Sequence, residues 1–387
     1  MGYPDVEAPY DAPMDDSRVV TPPYLAGPLR LLPFRGLMLA PSRIGDPGSA
    51  RAFARPYRDV SQRLSRWAEQ GQVLHDSQDA VYLHEYTSGG ITVRGLVGAL
   101  DLSHRARNRS ERVVYPHEGI HPLQVAELTD RMVDMQMNPA PILLVHRGRA
   151  EVRRIIQDLL STEPDHQFTD RGEQRHRIWA IREPAVLAAL DAALDGSRAL
   201  IADGHHRYAA YLRLQERNPG GSHDLGLAML VDQDDTPLFL GPIHRVLEGS
   251  TLDDLEQAAT TIGAGFDYAT ESEAVAALDP QTLVATDGER WATLRLTVPH
   301  SRATVEVVHE ALVPALPREP ARIAYHHSVE EALARVTTGS AVALLLPAPD
   351  FDLVLRIVAA DRLLPEKATS FQPKPHVGVL IRSLRDE

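Results

Sequence analysis

Apolar and polar positions along the chain change period repeatedly, and each change marks an element. Alternation or short apolar runs predict strands at 80–86, 91–100, 141–145, 174–181, 199–202, 224–231, 291–298, 322–325 and 341–346. Apolar residues at helical spacing predict helices at 61–70, where Leu64 and Trp67 share a face, and at 150–160, where Val152, Ile155, Ile156 and Leu159 do. Further helices are expected from Pro122 to 137, at 183–194, after Gly204, from Thr251 to 259, and at 271–278, 305–312 and 329–336. Ser88-Gly-Gly90 joins two of the strands as a hairpin. The interleaving gives a mixed α/β fold.

Punctuation divides the chain. Residues 1–29 are rich in proline and acids without periodicity and are expected to form a flexible or loosely docked arm. Gly249-Ser250 stands before a new strand–helix series with Thr251 as helix cap. The expected division is therefore an arm at 1–29, an α/β domain at 30–140, a core domain at 141–249 and a second α/β domain at 250–387. Residues 363–381 hold Lys367, Lys374 and Phe371 in a proline-stiffened loop that ends in an apolar run, so this segment is expected to be tied into the body.

Composition changes the picture only by exclusion. With 387 residues, 43% apolar and 24% charged, the chain has the makings of an ordinary globular core. A net charge of −13 opposes broad binding to nucleic acid, which needs a basic footprint. The lack of cysteine removes disulfides, thiolate ligands and cysteine nucleophiles. No signal-peptide pattern or membrane-length apolar run is present, so a cytoplasmic location is expected, with no membrane partner. A homo-oligomer is compatible with all of this.

Chemistry concentrates where the apolar run 199–202 stops. Asp203 is placed as a helix N-cap, Gly204 permits the reversal, and a helix pattern follows through Tyr208, Tyr211 and Leu212. A helix start offers backbone N–H groups and a positive dipole end to an anion such as phosphate; His205, His206 and Arg207 add donors and charge. Upstream, His117-Glu-Gly-Ile-His121 spells the letters of a zinc-hydrolase motif, but Pro116, Gly119 and Pro122 predict a loop rather than the helix that motif requires. A second His-Arg pair stands at His244 and Arg245.

Ala202-Asp-Gly-His-His-Arg207 resembles the signature of the bacterial and archaeal family called domain of unknown function one thousand and fifteen. Supporting pieces occur in the family's order: Pro33-Phe-Arg35, Pro56-Tyr57 with Asp59-Val60, His117-Glu118, Asp130-Arg131, Pro242-Ile-His-Arg245, Tyr325-His326, and Pro365 to Lys374 with Gly378. The sequence departs from the family pattern at Arg58, Glu366 and Ala368. Gly204-His-His-Arg-Tyr-Ala-Ala210 is also similar to the phosphate-gripping turn of the ParB and sulfiredoxin superfamily, with Gly204, Arg207 and Ala210 at matching places. Within that superfamily the turn resembles that of the free-serine kinase most.

The resemblance implies a ParB/sulfiredoxin-like nucleotide-binding core with additional α/β domains. It also implies phosphoryl transfer from ATP or ADP, with CTP as an alternative, to a small hydroxyl acceptor such as free serine, assisted by Mg²⁺. On this reading Gly204, His205, Arg207, Ala210, His117, Arg245 and Lys374 hold the nucleotide, while Asp203, His206 and Glu118 carry the chemistry. Glu118 and Asp203 are the expected metal ligands, and either is a candidate base. Two alternatives stay open: a nucleotide-binding switch without turnover, and a metal-dependent hydrolase built on His117, Glu118, His121 and one of His205 or His206.

Overall fold

In the computed structural model, residues 19–54, 60–336 and 340–385 are described. The family pieces Pro56-Tyr57 and Asp59, the departure at Arg58 and the first eighteen residues of the expected arm lie outside them. The chain folds as a mixed α/β protein around two large sheets.

The first sheet has ten strands, and within it Ala199–Asp203 lies parallel to Arg112–Tyr115 and antiparallel to Ile142–His146. Ala199 and Ile201 enter one apolar core; Leu200 and Ala202 enter another on the opposite face. Burial on both faces is why this stretch reads as an unbroken apolar run. The hairpin of Val81–Ser88 and Ile91–Asp101 turns through Gly89 and Gly90, both at positive φ, the two-residue turn that matches strand twist.

The second sheet is antiparallel, six strands in the order Gly265–Ala269, Trp291–Arg295, Thr282–Thr286, Ala341–Leu345, His244–Glu248, Arg322–His326. Thr251 caps the helix Leu252–Thr261 in a reciprocal box with Asp254, as its sequence indicates. The helix expected at 305–312 begins as Thr304–Val307 and continues as a π-helical turn, Val308–Leu312. That turn carries His309, which accepts a hydrogen bond from the Arg245 guanidinium at 3.2 Å.

Strand pairing crosses the expected divisions. The ten-stranded sheet draws strands from both sides of residue 140, so 30–140 and 141–249 share it. His244–Glu248, expected before the last boundary, belongs to the second sheet. The arm is docked from Val20 onward: Val20 bridges to Ile120, Leu25 is buried, and Pro23 O accepts from the Tyr208 hydroxyl at 2.8 Å. The tail is tied in, since Ser370–Gln372 pairs with Phe239–Gly241, and Ile381–Ser383 lies between Gly36–Leu39 and Met137–Asn138. No helix among the described residues is long and apolar enough to cross a membrane.

Candidate functional site

The strand Ala199–Asp203 ends as Gly204 takes φ of +90°, and the helix His205–Arg217 starts at once. An L side chain is strained at that φ, and a Cβ there would stand 3.0 Å from the Arg207 guanidinium. Gly204 itself is the N-cap, with no side-chain capping bond, so Asp203 does not cap the helix. Its carboxylate is held by two cations instead. Lys374 Nζ lies 2.8 Å from Oδ1, and Arg207 Nη2 donates to Oδ2 at 2.5 Å. Arg207 Nη1 donates to the Pro141 carbonyl at 2.8 Å. Burial raises the Asp203 pKa, but Lys374 and Arg207 outweigh it and hold the group well below the usual carboxylate range. A carboxylate so acidic is a poor proton acceptor at neutral pH.

The consecutive histidines fasten the loop 117–121 to the helix start. His205 Nε2 accepts from the backbone N–H of His117 at 3.3 Å, and His206 Nε2 accepts from that of His121 at 3.1 Å. His117 and His205 meet edge to face at 4.5 Å, while His121 and His206 stack at 5.8 Å. Burial pushes His117 down to about 4 and His205 well below the usual imidazole value, so both rings are neutral near pH 7. They offer hydrogen bonds rather than charge.

Tail residues close the other side. Thr369 Oγ1 lies 2.7 Å from His117 Nε2, Ala368 N–H donates to Glu118 Oε1 at 3.2 Å, and His121 Nε2 is 3.2 Å from Glu366 Oε2. The main chain at Lys374 is set by Gln174, whose amide donates to the Lys374 carbonyl at 3.0 Å, and by Tyr86, whose hydroxyl donates to the Pro373 carbonyl at 2.6 Å. Nothing in the spacing of Tyr86, Gln174 or Thr369 marks them; only the pairing of strands brings them here.

The structure therefore assembles Asp203, Gly204, His205, His206, Arg207, His117, Glu118 and Lys374 in one place, and buries two expected residues beneath it. Arg245 is wholly buried, its guanidinium donating to the carbonyls of Ile243 and Glu366 and to His309, so it anchors the tail and has no face for a ligand. Ala210 is wholly buried in the apolar core under the helix, where its small side chain serves packing, not nucleotide contact. The hydrolase alternative also loses its geometry. His117, Glu118 and His121 lie on a loop, and their side chains turn to Thr369, the Ala368 amide and Glu366 respectively. Among the described residues, the cluster with metal-ligand spacing is Asp170, His176 and His376.

A family model described as "Protein of unknown function (DUF1015)" matches residues 36–316, well over half of the chain. No match is found among curated proteins. Among solved structures, a free serine kinase in complex with AMP is similar at 16% identity and a TM-score of 0.39, over 74% of this chain and 92% of that one. SbnI from Staphylococcus aureus, with a C-terminal truncation, is similar at 10% identity and a TM-score of 0.43, over 75% of this chain and 90% of that one. A conserved hypothetical protein from Pyrococcus furiosus is similar at 15% identity and a TM-score of 0.37, over 69% and 92%.

Proposed function

This chain belongs to the family of proteins of unknown function called DUF1015, and we propose that it is a nucleotide- and Mg²⁺-dependent phosphotransferase for a small hydroxyl compound. One observation carries the reading. Lys374 and Arg207 converge on Asp203 at the amino end of the helix His205–Arg217, so two cations and a helix start face the same spot. A nucleotide phosphate competes with the Asp203 carboxylate for both cations, and the first-turn amides add donors. Phosphoryl transfer asks little more of a protein than positioning and charge neutralisation.

The donor chemistry fits Mg²⁺, which takes hard carboxylate oxygens together with water and phosphate. Glu118 and Asp203 are the residues that would hold it, Asp203 once its cations turn to phosphate; bound there, the ion supplies charge neutralisation at the transferring group. Neutral His117 and His205 orient by hydrogen bonding. Glu118 is the base on this reading; Asp203, facing Lys374 and Arg207 in the free protein and the ion once they turn to phosphate, stays too acidic to take the acceptor hydroxyl proton. His206 is the group to receive a carboxylate on the acceptor. Free L-serine heads the acceptors to try, because the helix start resembles that of the free-serine kinase.

The test has two stages. Titration calorimetry with ATP, ADP and CTP, with and without Mg²⁺, is expected to show saturable binding, and absence of binding by all three overturns the reading. Phosphorus NMR over a panel of hydroxyl compounds that includes L-serine is then expected to show a phosphomonoester. Binding without transfer to any acceptor would leave a nucleotide-operated switch.

A further inference from the structure

Beyond the residues of that site, the hairpin of His166–Thr169 and Arg175–Ile181 carries a cluster the function has not used. Asp170 Oδ2 lies 3.0 Å from His176 Nε2 and 2.5 Å from His376 Nδ1, and the three ligand atoms all fall within 4.8 Å of one another. The Asp170 and His176 side chains are wholly shielded from solvent, while that of His376 is 22% exposed. We propose that Asp170, His176 and His376 form a binding site for a transition-metal dication of the zinc class, which clasps the tail to this hairpin.

The surroundings are built as metal sites are. Asp170 Oδ1 accepts the backbone N–H groups of Gly172 at 2.8 Å and Gln174 at 3.0 Å, which fixes the carboxylate and points Oδ2 at the two rings. His84 Nε2 stands 3.0 Å from His176 Nδ1, the outer partner that a ligating imidazole normally has. With metal on His176 Nε2, the ring proton moves to Nδ1 and is donated to His84; with metal on His376 Nδ1, its proton sits on Nε2. Both imidazoles stay neutral, as ligands must be. Space around His376 is kept by glycine, since a Cβ on Gly172 would lie 2.6 Å from its Cε1 and one on Gly45 3.2 Å from its Nδ1. Two imidazoles, a carboxylate and a solvent-facing side suit four-coordinate Zn²⁺ completed by water.

The site is independent of the proposed phosphotransferase, yet mechanically linked to it. His376 is two residues from Lys374, and Gln174 bonds both the Lys374 carbonyl and the His376 N–H, the latter at 3.1 Å. A metal there pins the segment that delivers Lys374 to Asp203.

Full-length protein, stripped with chelator and titrated with Zn²⁺ against a competing chromophoric chelator, is expected to bind one equivalent per chain. Mn²⁺ is expected to bind more weakly and Mg²⁺ not measurably. His376→Gln, at a partly exposed position, is expected to lose at least tenfold in Zn²⁺ affinity while keeping the wild-type circular dichroism spectrum; Asp170→Asn provides a second ligand deletion. Zn²⁺ is expected to raise the melting temperature of the wild type and not of His376→Gln. Absence of one-to-one binding in the wild type, or equal affinity in wild type and His376→Gln, overturns the site. Neither result depends on nucleotide or turnover.

Discussion

Lys374 Nζ lies 2.8 Å from Asp203 Oδ1, so a residue of the tail completes the turn that follows Ala199–Asp203 in the ten-stranded sheet. If nucleotide phosphate takes over this cation, Lys374→Ala weakens ATP or ADP binding by at least ~10-fold, the loss of one charged donor. The pair is partly solvated, so the stability cost stays near 1 kcal/mol or below. Calorimetry and thermal melts check both; unchanged affinity would discard Lys374 as a phosphate ligand.

Arg207→Ala is expected to weaken nucleotide binding by about 2 kcal/mol. Arg207→Lys restores little, because a single ammonium cannot reach Asp203 and the Pro141 carbonyl together as the guanidinium does. Equal affinity in the alanine variant and the wild type would end the anion-site reading.

Glu118→Gln keeps an acceptor for the Ala368 N–H and removes the proposed base. The expected result is a fall in turnover of 100-fold or more with nucleotide affinity in the absence of Mg²⁺ retained. Undiminished turnover in single-turnover assays would leave Glu118 without a catalytic part.

Stability should fall as pH drops from about 6.5 towards 4. Burial pushes both His244 and His309 down to about 4, and Arg245 faces each of them; His326, His327 and Glu330 also act on His244. Between these pH values the unfolded chain takes up protons that the folded chain refuses, so protonation favours unfolding by up to about 1.4 kcal/mol per pH unit for each ring. Urea titrations at stepped pH should show this slope, and His309→Gln should flatten it. An unchanged slope in His309→Gln would remove that ring from the account.

Gly204→Ala combines a positive φ with a Cβ 3.0 Å from the Arg207 guanidinium. A destabilisation of about 1–3 kcal/mol is expected, together with loss of nucleotide binding as Arg207 is displaced. A variant as stable as the wild type in urea would contradict the strained turn.

Local chemistry made much of this legible. The apolar run 199–202, the two glycines of the hairpin and the Thr251 cap each determine their element through bonds within a few residues, and each stands where the sequence indicates. Sheet order is different, because Ala199–Asp203 inserts between Arg112–Tyr115 and Ile142–His146, and apolar periodicity records burial but not the identity of the neighbour. For that reason the continuation of the sheet across residue 140 was not legible in the pattern. Arg245 had the chemistry of a ligand-binding residue, but only tertiary packing decides that its charge is spent on carbonyls inside the protein. The cluster of Asp170, His176 and His376 left no trace in spacing, since a hairpin and a distant tail contribute to it.

The tail strand Ile381–Ser383 fills a gap between Gly36–Leu39 and Met137–Asn138, and Arg382 reaches the carbonyls of Ser222 and Leu225 and the side chain of Asn138. On the ribosome, where the chain emerges amino end first, the larger body must wait for this strand through the synthesis of the entire second sheet. Lys374 arrives with the same segment. A nascent chain stalled before these residues therefore carries an open seam and an unfinished cation pair, and the emergence of this segment becomes the event that both seals the body and arms the Asp203 turn.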